Sequence, residues 1–294
     1  MHPCHPLLEH AIDHAGLFPP AALSMEDAAR EYAADSASDD AWALGRWVVP
    51  AERLNEVLRV VERMDDGPGR WPLSVIGSGS LARDREGMAA VGQRGDVGLR
   101  VEAYETRADD LEHARETLAT VPSSPVRFLE IPMSADPALL LEAIRARGPG
   151  TAAKFRTGGV TPDAFPEPDH LLRALATAIR LGVPFKCTAG LHHPVRGRYR
   201  LTYAEDSALA RMYGYMNVMV AAAALRGGWS DADARAILLE ESPTAFTLDR
   251  EGVGWRGRRL HRDLVAAFRR DGMLGFGSCS FREPMDELAE IPVA

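Results

Sequence analysis

Lysine is almost absent from this chain. Only two of its 34 Lys and Arg residues are lysine, Lys154 and Lys186, and the other 32 are arginine. Arginine can replace lysine at most surface positions, but it does not lose its proton near neutral pH. A neutral primary amine attacks a carbonyl group to form a Schiff base, which a guanidinium does not usefully do. The two lysines are therefore the first candidates for catalytic residues, and the alternative is that they survived by chance in an arginine-biased composition.

Several other features are missing, and each absence argues against a class of protein. The net charge of -8, with no long basic block, argues against nucleic acid as the main partner. No apolar run approaches the roughly 20 residues that span a bilayer, so no membrane partner is expected. The N-terminal residues lack a basic segment followed by an apolar one, which predicts no signal peptide. Three well-separated cysteines do not make a disulfide framework, and the expected location is cytoplasmic.

Short apolar runs alternate with helical patterns along nearly the whole chain, which is typical of βα units and a parallel sheet. We predict eight strands, over residues 11–17, 46–49, 73–77, 98–104, 126–132, 152–156, 185–189 and 275–281. We predict helices between them over residues 24–34, 51–64, 108–118, 137–146 and 168–181. This order predicts an α/β fold, a (β/α)8 TIM barrel forming one domain over residues 1–294. An open doubly wound sheet is the competitor, but the glycine-rich dinucleotide turn after its first strand is missing.

The segment between the predicted seventh and eighth strands is too long for one βα connection. We expect residues 194–272 to form a helical insertion that serves as a lid or as the surface of a homo-oligomer. Inside it we predict a helix over 208–225, a second helix from Ser230, a hairpin over 246–255 and a last helix over 260–270.

The two lysines fall on the predicted sixth and seventh strands, one βα unit apart. In a barrel of this kind, the carboxyl ends of the strands face the active site. Neighbouring parallel strands are about 4.8 Å apart, so the two amines would face one mouth and repel each other. Repulsion favours loss of a proton from one of them, which makes it nucleophilic. The alternative is that each lysine pairs with an acid and braces the barrel.

Six segments of the chain occur in an order that matches one enzyme family. They are Ile12-Asp-His-Ala-Gly-Leu-Phe-Pro-Pro-Ala21, Ser74-Val-Ile-Gly77, Phe128-Leu-Glu130, Ala153-Lys-Phe-Arg-Thr-Gly-Gly-Val-Thr-Pro162, Phe185-Lys-Cys-Thr-Ala-Gly190 and Phe276-Gly-Ser-Cys-Ser280. In these segments the chain resembles the deoxyribose-phosphate aldolase branch of the class I (Schiff-base) aldolases. The resemblance implies that Lys154 forms the imine and that Lys186 is the neighbour that makes Lys154 easier to deprotonate and handles protons. It also implies that no organic cofactor is needed.

Three acidic residues are candidates to act with the lysines. Glu102 stands where the family has an Asp on its fourth strand, so we assign it to catalysis, whereas Glu105 is expected on the solvated rim or at the bottom of the barrel. Asp13 ends the first strand, where a carboxylate could orient a lysine or relay a proton, or could simply brace the loop. Glu102 and Glu130 are charges on otherwise apolar strands, so we expect both to pair with a lysine or with Arg156.

Further residues are assigned to substrate binding. Arg156 could clamp a carboxylate or a phosphate, and His192 could act as a general base near neutral pH. Glu130 belongs to this group, and so do four small residues whose backbone N–H groups could hold an anion, Gly158, Gly159, Ser278 and Ser280. The simpler alternatives are tight turns for the small residues and a loop role for the histidine. The adjacent pair His192 and His193 lacks the spacing of a metal motif, so no metal ligand is assigned.

The leading hypothesis from sequence is therefore a class I aldolase-like lyase that acts on a small carbonyl substrate, which could be anionic. A second hypothesis keeps the barrel but uses Lys154 and Lys186 as acid and base in an isomerase or decarboxylase. A third is a binding protein without catalysis, or a metal-dependent hydrolase that uses His192 and His193 with an acid.

Overall fold

The predicted barrel is present and closed. The computed structural model describes residues 4–64, 67–120, 125–133 and 136–293. Its barrel strands are β1 (Ile12–His14), β2 (Leu44–Pro50), β3 (Trp71–Ile76), β4 (Leu99–Arg107), β5 (Val126–Glu130), β6 (Thr151–Arg156), β7 (Phe185–Thr188) and β13 (Met273–Ser278). Five short strands lie between the last two: β8 (Gly197–Arg200), β9 (Leu209–Met212), β10 (Phe246–Asp249), β11 (Gly252–Trp255) and β12 (Arg258–His261). The barrel order is β1-β13-β7-β6-β5-β4-β3-β2, with all neighbours parallel.

Helices follow most of the barrel strands, which makes the fold a (β/α)8 TIM barrel. In chain order they are α1 (His5–Leu8), α2 (Met25–Ser36), α3 (Leu54–Val61), α4 (Leu81–Gln93), α5 (Leu111–Thr120), α6 (Ala138–Arg147), α7 (Pro168–Leu181), α8 (Tyr215–Arg226), α9 (Asp231–Leu238), α10 (Arg262–Asp271) and α11 (Arg282–Asp286). The signals that end them are local. Helix α7 starts at Pro168, which needs no partner for a backbone N–H, and stops at Gly182 in a left-handed conformation. No helix of the described ranges is both long and apolar enough to cross a bilayer.

A small apolar cluster lies inside the barrel, separate from the larger core between the strands and the helices. Its buried members are Ala103, Phe128 and Ala152. Each lies two residues before an acidic or basic residue, namely Glu105, Glu130 and Lys154. Alternate residues of a strand share a face. The side chains of Glu105, Glu130 and Lys154 therefore lie on the same face as the apolar cluster, one step closer to the carboxyl end of the barrel.

The insertion between β7 and β13 is present, with more strand than expected. Strands β8 and β9 form a hairpin, and β10, β11 and β12 form a three-stranded antiparallel sheet. The predicted helix over 208–225 is therefore shorter, because its first residues belong to β9. The predicted helix over 260–270 begins later, because β12 occupies its start. Ser230 caps α9 as expected, with its side chain accepting a hydrogen bond from the Asp233 N–H.

Helix α8 anchors the insertion to the barrel. Residues 215–224 of this helix are all buried, as expected for a helix that is apolar all round. The side-chain amide of Asn217 donates to the carbonyls of Ile237 and Glu240, and its oxygen accepts from the Arg196 N–H. These bonds satisfy the buried polar group and fix the loop after β7.

Candidate active site

The two lysines are neighbours in the barrel wall. Strands β6 and β7 pair in a register that places Lys154 beside Lys186. Both side chains are buried, with 6 % of the Lys154 side chain and 2 % of the Lys186 side chain exposed. The predicted placement of two amines at one mouth is confirmed.

Glu105 lies between the two amines. Its Oε2 is 2.7 Å from Lys154 Nζ, and its Oε1 accepts a hydrogen bond of 2.9 Å from Lys186 Nζ. Ser74 Oγ also donates to Oε1, at 2.5 Å. One buried carboxylate therefore bridges both lysines, and the repulsion expected between them is relieved by Glu105.

Each lysine also contacts a second carboxylate of its own. Lys154 Nζ lies 3.0 Å from Glu130 Oε2, while Lys186 Nζ donates to Asp13 Oδ2 at 2.5 Å. Asp13 is oriented in turn by the Arg46 N–H, which donates to Oδ1 at 2.8 Å. Of the two roles left open for Asp13, the contact with a lysine is the one observed, and Glu130 pairs with a lysine as expected.

Interactions between charges determine the protonation states of Glu105 and Lys186. Burial raises the pKa of Glu105, but Lys154 and Lys186 outweigh burial and hold that pKa well below its usual range. Burial alone would lower the pKa of Lys186, yet Asp13 and Glu105 reverse this and raise it. The ring of Phe128 lies 5.2 Å from Lys186 Nζ, which adds a cation–π contact. Lys186 is therefore held as an ammonium, and it does not fit the role of the neutral amine.

The lysines open into a cavity of about 230 Å³ at the carboxyl ends of the strands. Lys154, Lys186, Glu105, Arg156 and His192 line it. Its remaining walls include the apolar residues Phe18, Pro19, Pro20, Val48, Ile76 and Val160. A water molecule occupies about 30 Å³ in the liquid, so the cavity suits a small substrate, on the order of eight heavy atoms.

His192 lies at the edge of this cavity, next to the end of β13. Its Nδ1 is 3.3 Å from Ser278 Oγ, 3.5 Å from Cys279 Sγ and 3.4 Å from Glu283 Oε2. Burial lowers the pKa of His192, but the contacts with Cys279 and Glu283 outweigh it and raise the pKa to about 10. A histidine held in its charged form suits binding better than the predicted role of general base near neutral pH.

His193 points away from the lysine cavity and belongs to a different cluster. Its Nδ1 lies 2.8 Å from Glu287 Oε2, and its ring stacks on Tyr199 with 3.5 Å between centroids. Atoms of His193, Glu283 and Glu287 all lie within 4.8 Å of one another, a grouping that could hold a metal ion. Neither His193 nor the two glutamates line the lysine cavity.

The assignment of Glu102 to the lysines is wrong, and so is the placement of Glu105 on the rim or at the bottom. Glu102 lies at the opposite end of the barrel, where it pairs with Arg46 at 3.3 Å and Arg70 at 2.5 Å. The reason is an irregularity in the pairing of β3 with β4. Leu73 pairs with Val101 but Ser74 with Ala103, so Glu102 is an extra residue in β4. The bulge shifts the pattern of alternation, and the acid three residues later reaches the mouth.

The remaining predicted binding residues divide into two groups. Gly159, Arg156 and His192 line the lysine cavity, and Ser278 supports His192. Gly158 does not line it. A Cβ atom on Gly158 would lie 2.9 Å from the Cα of Gly190, so glycine is needed there for the close approach of two loops. Ser280 lines a neighbouring surface cavity, and its Oγ accepts a hydrogen bond from the Glu283 N–H.

Ser74 is a site residue that the sequence analysis did not assign. It is fully buried and donates to Glu105. The available signal was a hydroxyl residue in the middle of the apolar run Leu73 to Ile76, where a buried polar group needs a partner.

The fold and these contacts define the class of molecule: a TIM barrel, typical of enzymes, with a buried cluster of lysines and carboxylates at the catalytic end. Comparison with protein-family models gave no match, and comparison with curated proteins gave none.

Proposed function

We propose that this protein is a class I aldolase-like lyase in which Lys154 forms a Schiff base with a small carbonyl substrate. The observation that carries the proposal is the position of Lys154 Nζ, which lines a small cavity while contacting two carboxylates, Glu105 and Glu130. Lys186 also lines the cavity beside two carboxylates, but its second carboxylate, Asp13, is only 3 % exposed, whereas Glu130, the second carboxylate of Lys154, is 14 % exposed.

The two carboxylates divide the proton chemistry. Glu105 is fixed by Ser74 and Lys186, so it serves to hold charge rather than to exchange protons. Glu130 is more exposed, with 14 % of its side chain accessible against 2 % for Glu105, and it lies 3.0 Å from Nζ. We assign it as the base that takes the proton from Lys154, which frees the amine to attack the substrate carbonyl.

The chemical step follows from the iminium that forms once water leaves. When the bond between the carbons α and β to the iminium carbon breaks, its electron pair flows toward the iminium and produces an enamine. The proton of the departing alcohol goes to a carboxylate, and an aldehyde is released. Protonation of the enamine and hydrolysis of the imine restore Lys154. The ammonium of Lys186, paired with Asp13 and Glu105, provides a fixed positive charge near the reacting atoms.

Borohydride trapping tests the proposal. Incubation with a small carbonyl compound and borohydride should add mass irreversibly at Lys154, located by peptide mass spectrometry. Lys154→Arg should abolish labelling and lower turnover on the order of 10³-fold or more, and Lys186→Arg should lower turnover by about 10²-fold or more while Lys154 remains labelled. Absence of any adduct at Lys154 across aldehydes, ketones and oxo acids would refute the proposal.

Two other hypotheses remain distinguishable by experiment. An isomerase or decarboxylase that uses the lysines only as acid and base would turn over substrate without a trappable adduct. The metal-dependent hydrolase gains support from the closeness of His193, Glu283 and Glu287. It predicts activity that a chelator removes and that Lys154→Arg leaves intact, the reverse of the aldolase expectation.

A further inference from the structure

More basic than acidic residues line the lysine cavity. Lys154, Lys186 and Arg156 are the basic residues other than His192 that line it, and Glu105 is the one acidic residue among the described residues that does so. Asp13 and Glu130 contact the amines but do not line the cavity. Each of these three cations has a carboxylate within 3.2 Å, so the charges around the cavity are balanced, and an anionic group binds there only through N–H groups that the carboxylates leave unpaired.

Arg156 is the cation best placed to bind an anionic group of the substrate. It lies two residues after Lys154 on β6, so the two side chains share a face of the strand. Its side chain is 51 % exposed, against 6 % for Lys154. Its Nε contacts Glu130 Oε1 at 3.2 Å, and no protein partner of its two terminal nitrogens is seen within the described part of the chain. Glu130 thus orients the guanidinium and leaves its paired N–H groups for a ligand.

The spacing of the two cations sets how far the anionic group lies from the carbonyl. Lys154 Nζ contacts one oxygen of Glu130 and Arg156 Nε contacts the other, so the two nitrogens are held one carboxylate group apart. This closeness suits a substrate whose anionic group is on the carbon next to the carbonyl carbon that bonds to Nζ.

We propose that the substrate is a 4-hydroxy-2-oxo acid whose C2 carbonyl condenses with Lys154 and whose C1 carboxylate binds Arg156. The inference rests on the proposed function. Nζ attacks C2, and water leaves to give the iminium with the carboxylate retained. Cleavage of the C3–C4 bond sends its electron pair toward C2, the C4 hydroxyl loses its proton to a carboxylate, and an aldehyde departs. Protonation at C3 and hydrolysis release the shorter 2-oxo acid, so that no oxidant or reductant is consumed. The apolar walls suit an uncharged aldehyde fragment.

Matched carbonyl probes test the proposal. Pyruvate and acetone differ in one group, a carboxylate in place of a methyl, and both can be trapped on Lys154 with borohydride. We expect half-maximal labelling by pyruvate at a concentration about 30-fold to 100-fold below that of acetone, as a charge-assisted bidentate contact would give. Dihydroxyacetone phosphate serves as the phosphorylated probe and should label less well than pyruvate.

Variants separate the role of Arg156 from a general effect of charge. Arg156→Gln should remove the preference for pyruvate over acetone, and the ratio of the two probes is the readout because any change at Glu130 affects both probes alike. Arg173→Gln, which removes an exposed arginine on α7, should keep the preference. Equal labelling by pyruvate and acetone, stronger labelling by the phosphorylated probe, or a preference that survives Arg156→Gln would each overturn the oxo-acid assignment while the Schiff base stands. No labelling by any probe would remove the proposed function itself.

Discussion

The two ends of the barrel both contain a cavity lined by charged residues, and they differ in size and chemistry. The cavity at the amino-terminal end is the larger, about 770 Å³ against about 230 Å³ at the carboxyl end. Its cations are arginines, Arg46, Arg70, Arg269 and Arg270, whereas the smaller cavity contains both lysines of the chain. Guanidinium groups give fixed charge and directed hydrogen bonds, while an amine can also give up a proton. Among the described residues, both lysines lie at the carboxyl end beside Arg156, and the larger cavity at the other end is lined by arginines, so cavity size is a poor guide to the proposed site.

Removing one carboxylate from each end of the barrel is the most direct test of this comparison. Glu105→Gln withdraws the charge shared by two buried lysines, and loss of one member of a buried ion pair costs about 3–5 kcal/mol. We expect a fall of that size in the free energy of unfolding, together with at least about a 10²-fold loss of trapping rate at Lys154. Denaturant unfolding and timed borohydride labelling measure the two effects.

Glu102→Gln is the matched change at the opposite end. Glu102 pairs with Arg46 and Arg70 near the surface, with 26 % of its side chain exposed. Such pairs contribute about 0–1 kcal/mol, and labelling of Lys154 should not change. If Glu102→Gln slowed labelling as much as Glu105→Gln, the assignment of the carboxylates to separate ends would be mistaken.

The case of these two glutamates shows where sequence reasoning stopped. All eight strands were predictable, because buried strands are short apolar runs separated by helical patterns. The lysine pair was predictable from the equal position of each lysine in its strand. The bulge in β4 was not predictable, since it depends on pairing with β3. Counting alternate residues along β4 without the bulge points to Glu102 as the acid beside the lysines, instead of Glu105. A contact between residues far apart in sequence, such as that of Glu105 with the two lysines, leaves no local pattern in the sequence.

The insertion shows a second limit. Residues 209–212 alternate between exposed and buried, as a strand does, but the apolar residues that follow favour a helix and hide this short strand in the sequence. Helix α4 was not predicted at all. It contains two glycines, and only Asp84 and Val91 of it are buried, so neither helix propensity nor an apolar stripe marks it. Short strands and weakly apolar helices form here because neighbouring segments pack against them.

A smaller effect is expected from exchanging a cation at the amino-terminal end. The guanidinium of Arg269 donates to the carbonyls of Met273, Leu274 and Glu9. A lysine cannot reach three acceptors in this fixed arrangement, so Arg269→Lys should lower the free energy of unfolding by about 1–2 kcal/mol. Labelling of Lys154 should be unchanged in the folded variant. A variant as stable as the wild type would show that this end does not need arginine.

The smallest expected effect is on stability in acid, and it concerns Glu130 at the mouth. Burial raises the pKa of Glu130, but Lys154 and Arg156 outweigh burial and lower it. A carboxyl group whose pKa is lowered by folding stabilises the protein above its unfolded-state pKa of about 4.3. That stabilisation is lost as the pH falls through the lower pKa of the folded state.

Wild-type protein should therefore lose stability as the pH falls from about 5 to about 3, and Glu130→Gln should lose less over that interval, by about 1 kcal/mol. The variant lacks the group whose protonation differs between the folded and unfolded states. Glu142→Gln, which removes an exposed carboxylate on α6, controls for the change in net charge and should follow the wild type. Denaturant unfolding at several pH values measures each slope. Parallel slopes for Glu130→Gln and wild type would mean that Glu130 is not held by Lys154 and Arg156, and the base assigned to the amine would have to be sought elsewhere.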